Sequence, residues 1–534
     1  LKSLLSSPRT WRRVRQGTQI AFLALFVYLL FEAYQGRVAH PWTDVFFRLN
    51  PLAALAAMIA GRAWIPRLGL ALITVGLTLL LGRVWCGWVC PLGTVLEWVR
   101  FPRTHYRAAP PSARWRTVKY VLLAAITAAA LFGNLTLMLL DPIAILTRTA
   151  TTVILPSLNQ AITGAEHVLY GVRIFRPAVD LVERLLRGPI LPTAQFYFAA
   201  NVAIALLFLG IVALNAVAER FWCRYLCPLG GLLALPSKVA LFRRVVGNEC
   251  NRCAQCAGTC PTDTIDPARG YESDPGECIV CLDCFAECPR SGIGYHPQWA
   301  PIWREYDPSR RAMLVSLGAS AAGVALANTS AQVSDPDPHL IRPPGALDEA
   351  FGESEFLSKC IRCGACMKVC PTAGLQPSGL QEVGLKGLWT PHLVPRLGQC
   401  DYGCYACGQI CPSGAIRPLP LEVKQLTVIG RAYIDVNRCL PWADNIPCAV
   451  CEEMCPVPDK AILLLAEGES PDAALAGGQQ RGPAPLAENQ APRPYVVSSR
   501  CIGCGLCEKR CPLNGESAIR VYSPNEPPPP MGYV

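Results

Sequence analysis

The sequence predicts an α-helical membrane bundle of four spans, with a fifth linking span, carrying two small cysteine-rich α+β modules. Three observations predict it. Apolar residues make up 51% of the 534 and charged residues only 16%, a balance more apolar than soluble domains have. The net charge of +10 comes from Lys and Arg that flank apolar runs, where membrane topology puts them, and not from a single basic face suited to nucleic acid. The 28 Cys fall, without remainder, into seven groups of four.

Along the chain, Arg9, Arg12, Arg13 and Arg15 precede an apolar run from Thr18 to Tyr34. It is long enough to span, and the Arg cluster places the N-terminus in the cytoplasm. Pro51 to Ala60 is too short to span and reads as a half-helix or interfacial segment. Pro66 to Gly82 returns inward. A basic loop with Arg100, Arg103, Arg107, Arg114, Arg116 and Lys119 follows. Tyr120 to Leu140 goes out, and Glu166 to Arg187 reads as an amphipathic helix on the outer face. Phe196 to Ala218 comes back. Residues 1–243 are thus the membrane domain. Residues 244–308 are a polar, Cys-rich module. Ser309-Arg310-Arg311 and the apolar run to Ala327 form a linking span over 309–328. Residues 329–350 are a Pro-rich linker, and 351–534 a second Cys-rich domain. Within it, Gly468 to Pro494 reads as a surface loop, and Pro527–Pro530 as extended polyproline.

The quartets carry the chemistry. Cys250, Cys253, Cys256, Cys260 and Cys278, Cys281, Cys284, Cys288 both follow Cys-x2-Cys-x2-Cys-x3-Cys-Pro. Three Cys two apart wrap a loop around one corner of a [4Fe–4S] cubane, and the fourth reaches to the neighbouring cluster. Zinc motifs use paired Cys-x2-Cys without the triple run, and disulfide scaffolds are usually short and need only pairs. In the second domain, Cys360, Cys363, Cys366, Cys370 and Cys501, Cys504, Cys507, Cys511 keep the strict spacing. Cys400, Cys404, Cys407, Cys411 carry one extra residue, and Cys439, Cys448, Cys451, Cys455 a long insertion. Regular outer and irregular inner quartets suggest nested pairing, Cys511 serving the Cys360 cluster and Cys455 the Cys400 cluster. Sequential pairing is the rival. Either way the sequence predicts six [4Fe–4S] clusters in α+β ferredoxin-like modules.

The seventh quartet is an internal repeat, Trp85-Cys86-x3-Cys90-Pro91-Leu92-Gly93 and Trp222-Cys223-x3-Cys227-Pro228-Leu229-Gly230. A spacing of four puts both thiols of each copy on one helical face. Three readings stand: a seventh cluster, a soft-metal site such as Cu(I), or a dithiol–disulfide couple.

On these motifs the first 300 residues resemble the NapH type of membrane ferredoxin, the quinol dehydrogenase membrane component, with related Cys-x3-Cys-Pro parts in NosR-like and CcoG-like proteins. Residues from Ser309 onward resemble the NapG/MauM type of four-cluster periplasmic ferredoxin, whose twin-arginine signal would here be internal. The resemblance implies a protein of the bacterial inner membrane, with its N-terminus and two-cluster module cytoplasmic and its C-terminal domain periplasmic. It implies electrons passing between membrane quinol and a periplasmic reductase or multihaem cytochrome, within a membrane complex. The alternative it leaves is electron donation for maturation of a periplasmic metallo- or quinoenzyme, or Cu(II) reduction. No nucleophile triad, P-loop or nicotinamide fingerprint is present, so any catalysis is quinol oxidation, and its residues are not legible.

Overall fold

The computed structural model describes residues 8–32, 42–99, 113–187, 195–298, 340–347, 352–466 and 491–524, with a few isolated positions. The linking span over 309–328, most of the linker and the polyproline tail lie outside the described residues.

The N-terminal part is helical, and most of its helices are short. Pro8–Glu32 is the one helix among the described residues long and apolar enough to cross a membrane. It starts before the expected span, so the Arg cluster lies within it, and Arg15 is fully buried. Pro51–Ala60 is a half-helix in the interior, with Leu52, Ala53 and Ala57 fully buried. Asn50 caps it, accepting from the backbone N–H of Leu52 and Ala53, and Pro51 presets the first turn. The Tyr120–Leu140 span is not one helix. Val118–Leu131 ends there because Gly133 takes φ +71° and the Asn134 side chain captures the N–H of Thr136 at 2.8 Å, opening a 3₁₀ turn at Thr136–Leu140. Pro66–Gly82 is a 3₁₀ turn followed by Ala71–Leu81, and Phe196–Ala218 shortens to Asn201–Ala213 with one 3₁₀ turn. The amphipathic element over Glu166–Arg187 is two helices, Leu155–Tyr170 and Arg176–Leu186, broken at Gly171–Phe175. Arg187 folds back to Glu166 at 2.6 Å.

Two-stranded antiparallel sheets build the Cys-rich modules. In the small module Phe242–Val246 pairs with Ile293–Pro297, and Ile265–Asp266 with Glu272–Ser273. The module therefore begins two residues earlier than the composition suggests. In the C-terminal domain Leu375–Pro377 pairs with Pro391–Leu393, Arg431–Ile434 with Ile519–Tyr522, and Ile462–Leu465 with Arg493–Val496. Arg493 and Pro494 are thus strand, not loop. The segment at 340–347 also belongs to this domain. Ile341 is fully buried and bridges to Leu393, and Arg342 pairs with Glu353.

Both modules pack on the N-terminal part. The small module is held by Arg12–Asp283 at 3.2 Å, Lys119–Glu277 at 2.6 Å, and a bond from Arg83 to Gly276 O at 3.0 Å. The C-terminal domain is held by Arg67 on Gln409 O at 3.1 Å and by Gln376 on Tyr197 O at 3.0 Å. One apolar core joins Leu52, Met138 and Ile143 to Ile361, Cys363, Val369 and Ile410, so this contact is a buried interface.

Candidate iron–sulfur sites

The four regular quartets share one local backbone. The second and fourth residues after the first Cys all have positive φ: Arg252 and Ala254, Val280 and Leu282, Arg362 and Gly364, Gly503 and Gly505. Such alternation turns successive backbone N–H groups inward, forming a concavity for an anionic group. Backbone N–H groups also reach the sulfurs directly: Ala432 to Cys501, Ile416 to Cys411, and Ala461 to Cys455, at 3.3–3.4 Å. The Cys before each proline is held extended, ψ 114° at Cys260, 113° at Cys370 and 110° at Cys411, as the proline ring requires. It thereby leaves its short helix and turns toward another loop.

Which loop it meets is a tertiary fact. Cys260 stands with Cys278, Cys281 and Cys284. Cys411 stands with Cys360, Cys363 and Cys366. Cys370, Cys400, Cys404 and Cys407 line one cavity of about 30 Å³, and Cys439, Cys448, Cys451 and Cys511 another. Cys455 stands with Cys501, Cys504 and Cys507. The pairing is sequential, and the nested expectation is corrected. Its cause is the strand pair Arg431–Ile434 with Ile519–Tyr522, which closes 431–522 as its own unit.

These cages fit a cluster. Each cavity exceeds the space of one water. No three Cys, His, Asp or Glu among the described residues meet closely enough to hold a single metal ion, whereas zinc would draw its thiolates to about 2.3 Å. Burial pushes the thiols of Cys400 and Cys439 up to about 11, and those of Cys451 and Cys504 up to about 12. A metal core with its positive charge is what holds such sulfurs as thiolates, and loading it releases their protons.

The N-terminal quartet also converges. Cys86, Cys90, Cys223 and Cys227 face one another. Each motif forms a π turn, Trp85–Val89 and Trp222–Leu226, closed by Cys90 N–H to Trp85 O at 2.9 Å and Cys227 N–H to Trp222 O at 2.8 Å. These wide turns, frequent at functional sites, replace the expected α turn and still bring both sulfurs to one side. Two buried arginines guard the group. Arg83 Nη2 lies 4.0 Å from Cys86 Sγ, and Arg220 donates to Cys86 O at 3.4 Å. The sequence carried their signal: Arg83-Val84-Trp85-Cys86 and Arg220-Phe221-Trp222-Cys223 repeat an arginine three residues before the first thiol. It was missed, as were Glu97, Asp141 and Arg148, because one charged residue in an apolar chain has no spacing to mark it.

The cages follow one another through contact. The loop of Cys278–Cys284 rests on the N-terminal quartet, where Trp88 donates to Val280 O at 2.9 Å. Toward the C-terminal domain, Asp141 interacts with Cys90, and Arg148 with both Asp141 and Cys363. Cys400 N–H donates to Cys504 O at 2.8 Å, joining the two units of the C-terminal domain. Gly87 leaves no room for a side chain, since a Cβ would stand 2.1 Å from Ile279 O. Gly87→Ala is therefore expected to push the small module off the quartet, at about 1–3 kcal/mol. Faster limited proteolysis at 244–298, with the C-terminal domain unchanged, is the readout.

Comparison with known proteins agrees with this geometry. A 4Fe-4S binding domain model matches residues 63–108 and 200–249, a 4Fe-4S dicluster domain model matches 359–415, and a 4Fe-4S binding domain model matches 494–514. The methylamine utilization ferredoxin-type protein MauM of Methylorubrum extorquens is 34% identical over 225 residues, covering 89% of that protein and 40% of this chain. The chain belongs to the MauM/NapG family of ferredoxin-type proteins. The ferredoxin-type protein NapG of Escherichia coli is 32% identical over 205 residues, 79% of that protein and 38% of this chain. Protein NirI of Paracoccus denitrificans is 29% identical over 301 residues, 53% of this chain but only 35% of NirI. No solved structure matches. As a MauM/NapG-type ferredoxin the chain carries several [4Fe–4S] clusters and serves iron–sulfur electron transfer.

Proposed function

We propose that this is a membrane-bound polyferredoxin, a NapH-type part fused to a NapG/MauM-type part, that moves electrons between the quinol pool and a periplasmic redox partner. The observation that carries the reading is the continuous run of cages, from the small module through the quartet Cys86, Cys90, Cys223 and Cys227 into the C-terminal domain. The 24 ferredoxin-type Cys ligate six [4Fe–4S] clusters, five in the cages above and the sixth in the small module from Cys250, Cys253, Cys256 and Cys288. The N-terminal quartet holds a seventh. The arginine pair supports this, because two buried guanidinium groups offset the negative charge of four thiolates around an iron–sulfur core. The 4Fe-4S binding domain model that matches over both motifs supports it too.

In this reading Pro8–Glu32 anchors the chain in the bacterial inner membrane and the shorter apolar helices complete a four-span bundle. The small module is cytoplasmic, and the C-terminal domain reaches the periplasm through a linking span over 309–328. The partner is a reductase or a multihaem cytochrome. The chain's own residues hold the clusters, exclude water and set their spacing. A cluster, when bound, accepts and releases one electron at a time.

The test is reduction by quinol. In anaerobic membranes holding the full chain, a reduced quinol is expected to bleach the visible iron–sulfur absorbance, and dithionite should add little more. Bleaching by dithionite alone would reject the quinol link and favour the second reading, in which electrons serve maturation of a metallo- or quinoenzyme or reduction of Cu(II). That alternative is the one the resemblance to MauM-type and CcoG-like proteins suggests.

A further inference from the structure

Arg148 belongs to the helix Pro142–Thr149 of the N-terminal part and is fully buried. Its side chain nonetheless serves the C-terminal domain. Nη1 donates to Arg362 O at 3.0 Å, Nη2 donates to Leu139 O at 3.3 Å, and the guanidinium stacks 4.4 Å over the ring of Trp389. The Cys360 loop is shaped to receive it. Gly364 has φ +80°, and a Cβ there would stand 3.3 Å from Arg148 Cα. The charge of Arg148 faces Cys363. A second buried cation, Arg362, sits in the same loop and donates to Cys360 O at 3.0 Å and Leu388 O at 3.1 Å.

The acids near this cage are Asp141, which also faces Arg148, and Glu353. Asp141 accepts from Asn50 at 2.7 Å and from the N–H groups of Ile143 and Ala144, and Glu353 pairs with Arg342. The last cage, at Cys439, has mixed surroundings, with Arg493 stacked over Trp442 and Asp435 paired with Arg520. Asp435 neighbours Cys439, and Asp444, Glu452 and Glu453 lie along the same run.

We propose that Arg148, reaching from the N-terminal part, raises the potential of the cluster held by Cys360, Cys363, Cys366 and Cys411, a cage that packs against that part. The inference rests on the reading that the cages hold [4Fe–4S] clusters. One electron leaves the centre at the N-terminal quartet, which is oxidised by one, and this cluster is reduced by one; no bond forms and no proton moves. The reduced cluster carries one more negative charge. A buried cation beside it stabilises that form more strongly than a solvated one would, and a carboxylate beside the Cys439 cage does the reverse. Arg148 is a positioning residue: it ties the two parts together and sets the potential where they meet.

The experiment is an EPR-monitored redox titration of the full chain, purified anaerobically in detergent. The signal altered by Cys363→Ser assigns the midpoint of this cluster. In Arg148→Gln that midpoint should fall enough to lower its reduced-to-oxidised ratio about tenfold at the original midpoint, ~59 mV for one electron. Iron content and the other midpoints should hold, and Arg148→Lys should restore most of the shift. Arg493→Gln, whose guanidinium stacks 4.8 Å over Trp442 beside the Cys439 cage, should leave this midpoint in place. An unmoved midpoint for that signal in Arg148→Gln at full iron content would overturn the proposal. If Arg148→Gln does not fold, Arg148→Lys decides: a midpoint that falls about tenfold in ratio despite the retained charge would overturn it. A chain without iron would instead remove the functional reading on which the proposal stands.

Discussion

Serine at Cys86, Cys90, Cys223 and Cys227 is expected to lower the iron content of the anaerobically prepared chain from about 28 to about 24 per molecule, four per cluster. Acid-labile sulfide should fall in parallel. The four thiols come from two π turns, face one another, and sit against Arg83 and Arg220. A soft single ion would predict copper lost on substitution, with iron and sulfide unchanged. A dithiol couple would predict the same iron count before and after substitution, with thiols that titrate. Iron, copper and sulfide analysis therefore separates all three readings, and an unchanged iron count in the substituted chain would remove the seventh cluster.

Glu97→Ala is expected to destabilise the N-terminal part by about 3–5 kcal/mol, because it leaves buried Arg220 without its carboxylate and Arg15 with only Asp283, 3.6 Å away. Arg15 donates to both oxygens of Glu97 at 2.9 Å, Gln19 donates at 2.8 Å, and Arg220 pairs with the same carboxylate. Arg15 is 0% exposed and Arg220 1%, so water cannot replace the lost partner. Arg15 comes from the first helix, Glu97 from the helix after the first Cys motif, and Arg220 from the second motif. One carboxylate thus ties the anchor helix to both halves of the repeat. Thermal unfolding in detergent should show the loss. Replacing Glu97, Arg15 and Arg220 together by Met should recover much of it, since an apolar set of similar volume avoids the desolvation cost of the charges. A melt unmoved by Glu97→Ala would show that the carboxylate does not hold these elements.

Local signals were the legible ones. The Cys spacings identified every cage-forming loop, because a three-Cys loop is a local backbone fold whose left-handed positions recur at Arg362 and Gly364 as at Gly503 and Gly505. Asn50-Pro51 and Asp141-Pro142 announced their helix starts for the same reason, since cap and ring act within one turn. Span lengths were less legible. Hydropathy runs on through Gly133 and Asn134, while the backbone bends there.

Residue types and spacing by themselves determined that this chain folds around thiol quartets, and in which loops. Only the tertiary structure decided which fourth cysteine completes which cage, that the N-terminal quartet converges between two arginines, and that Arg148 reaches across to Cys363. The physical reason is range. A turn or a cap is set by neighbours a few residues apart, whereas Cys511 meets Cys439 because the strands Arg431–Ile434 and Ile519–Tyr522 pair across nearly 90 residues, and no local spacing encodes that closure.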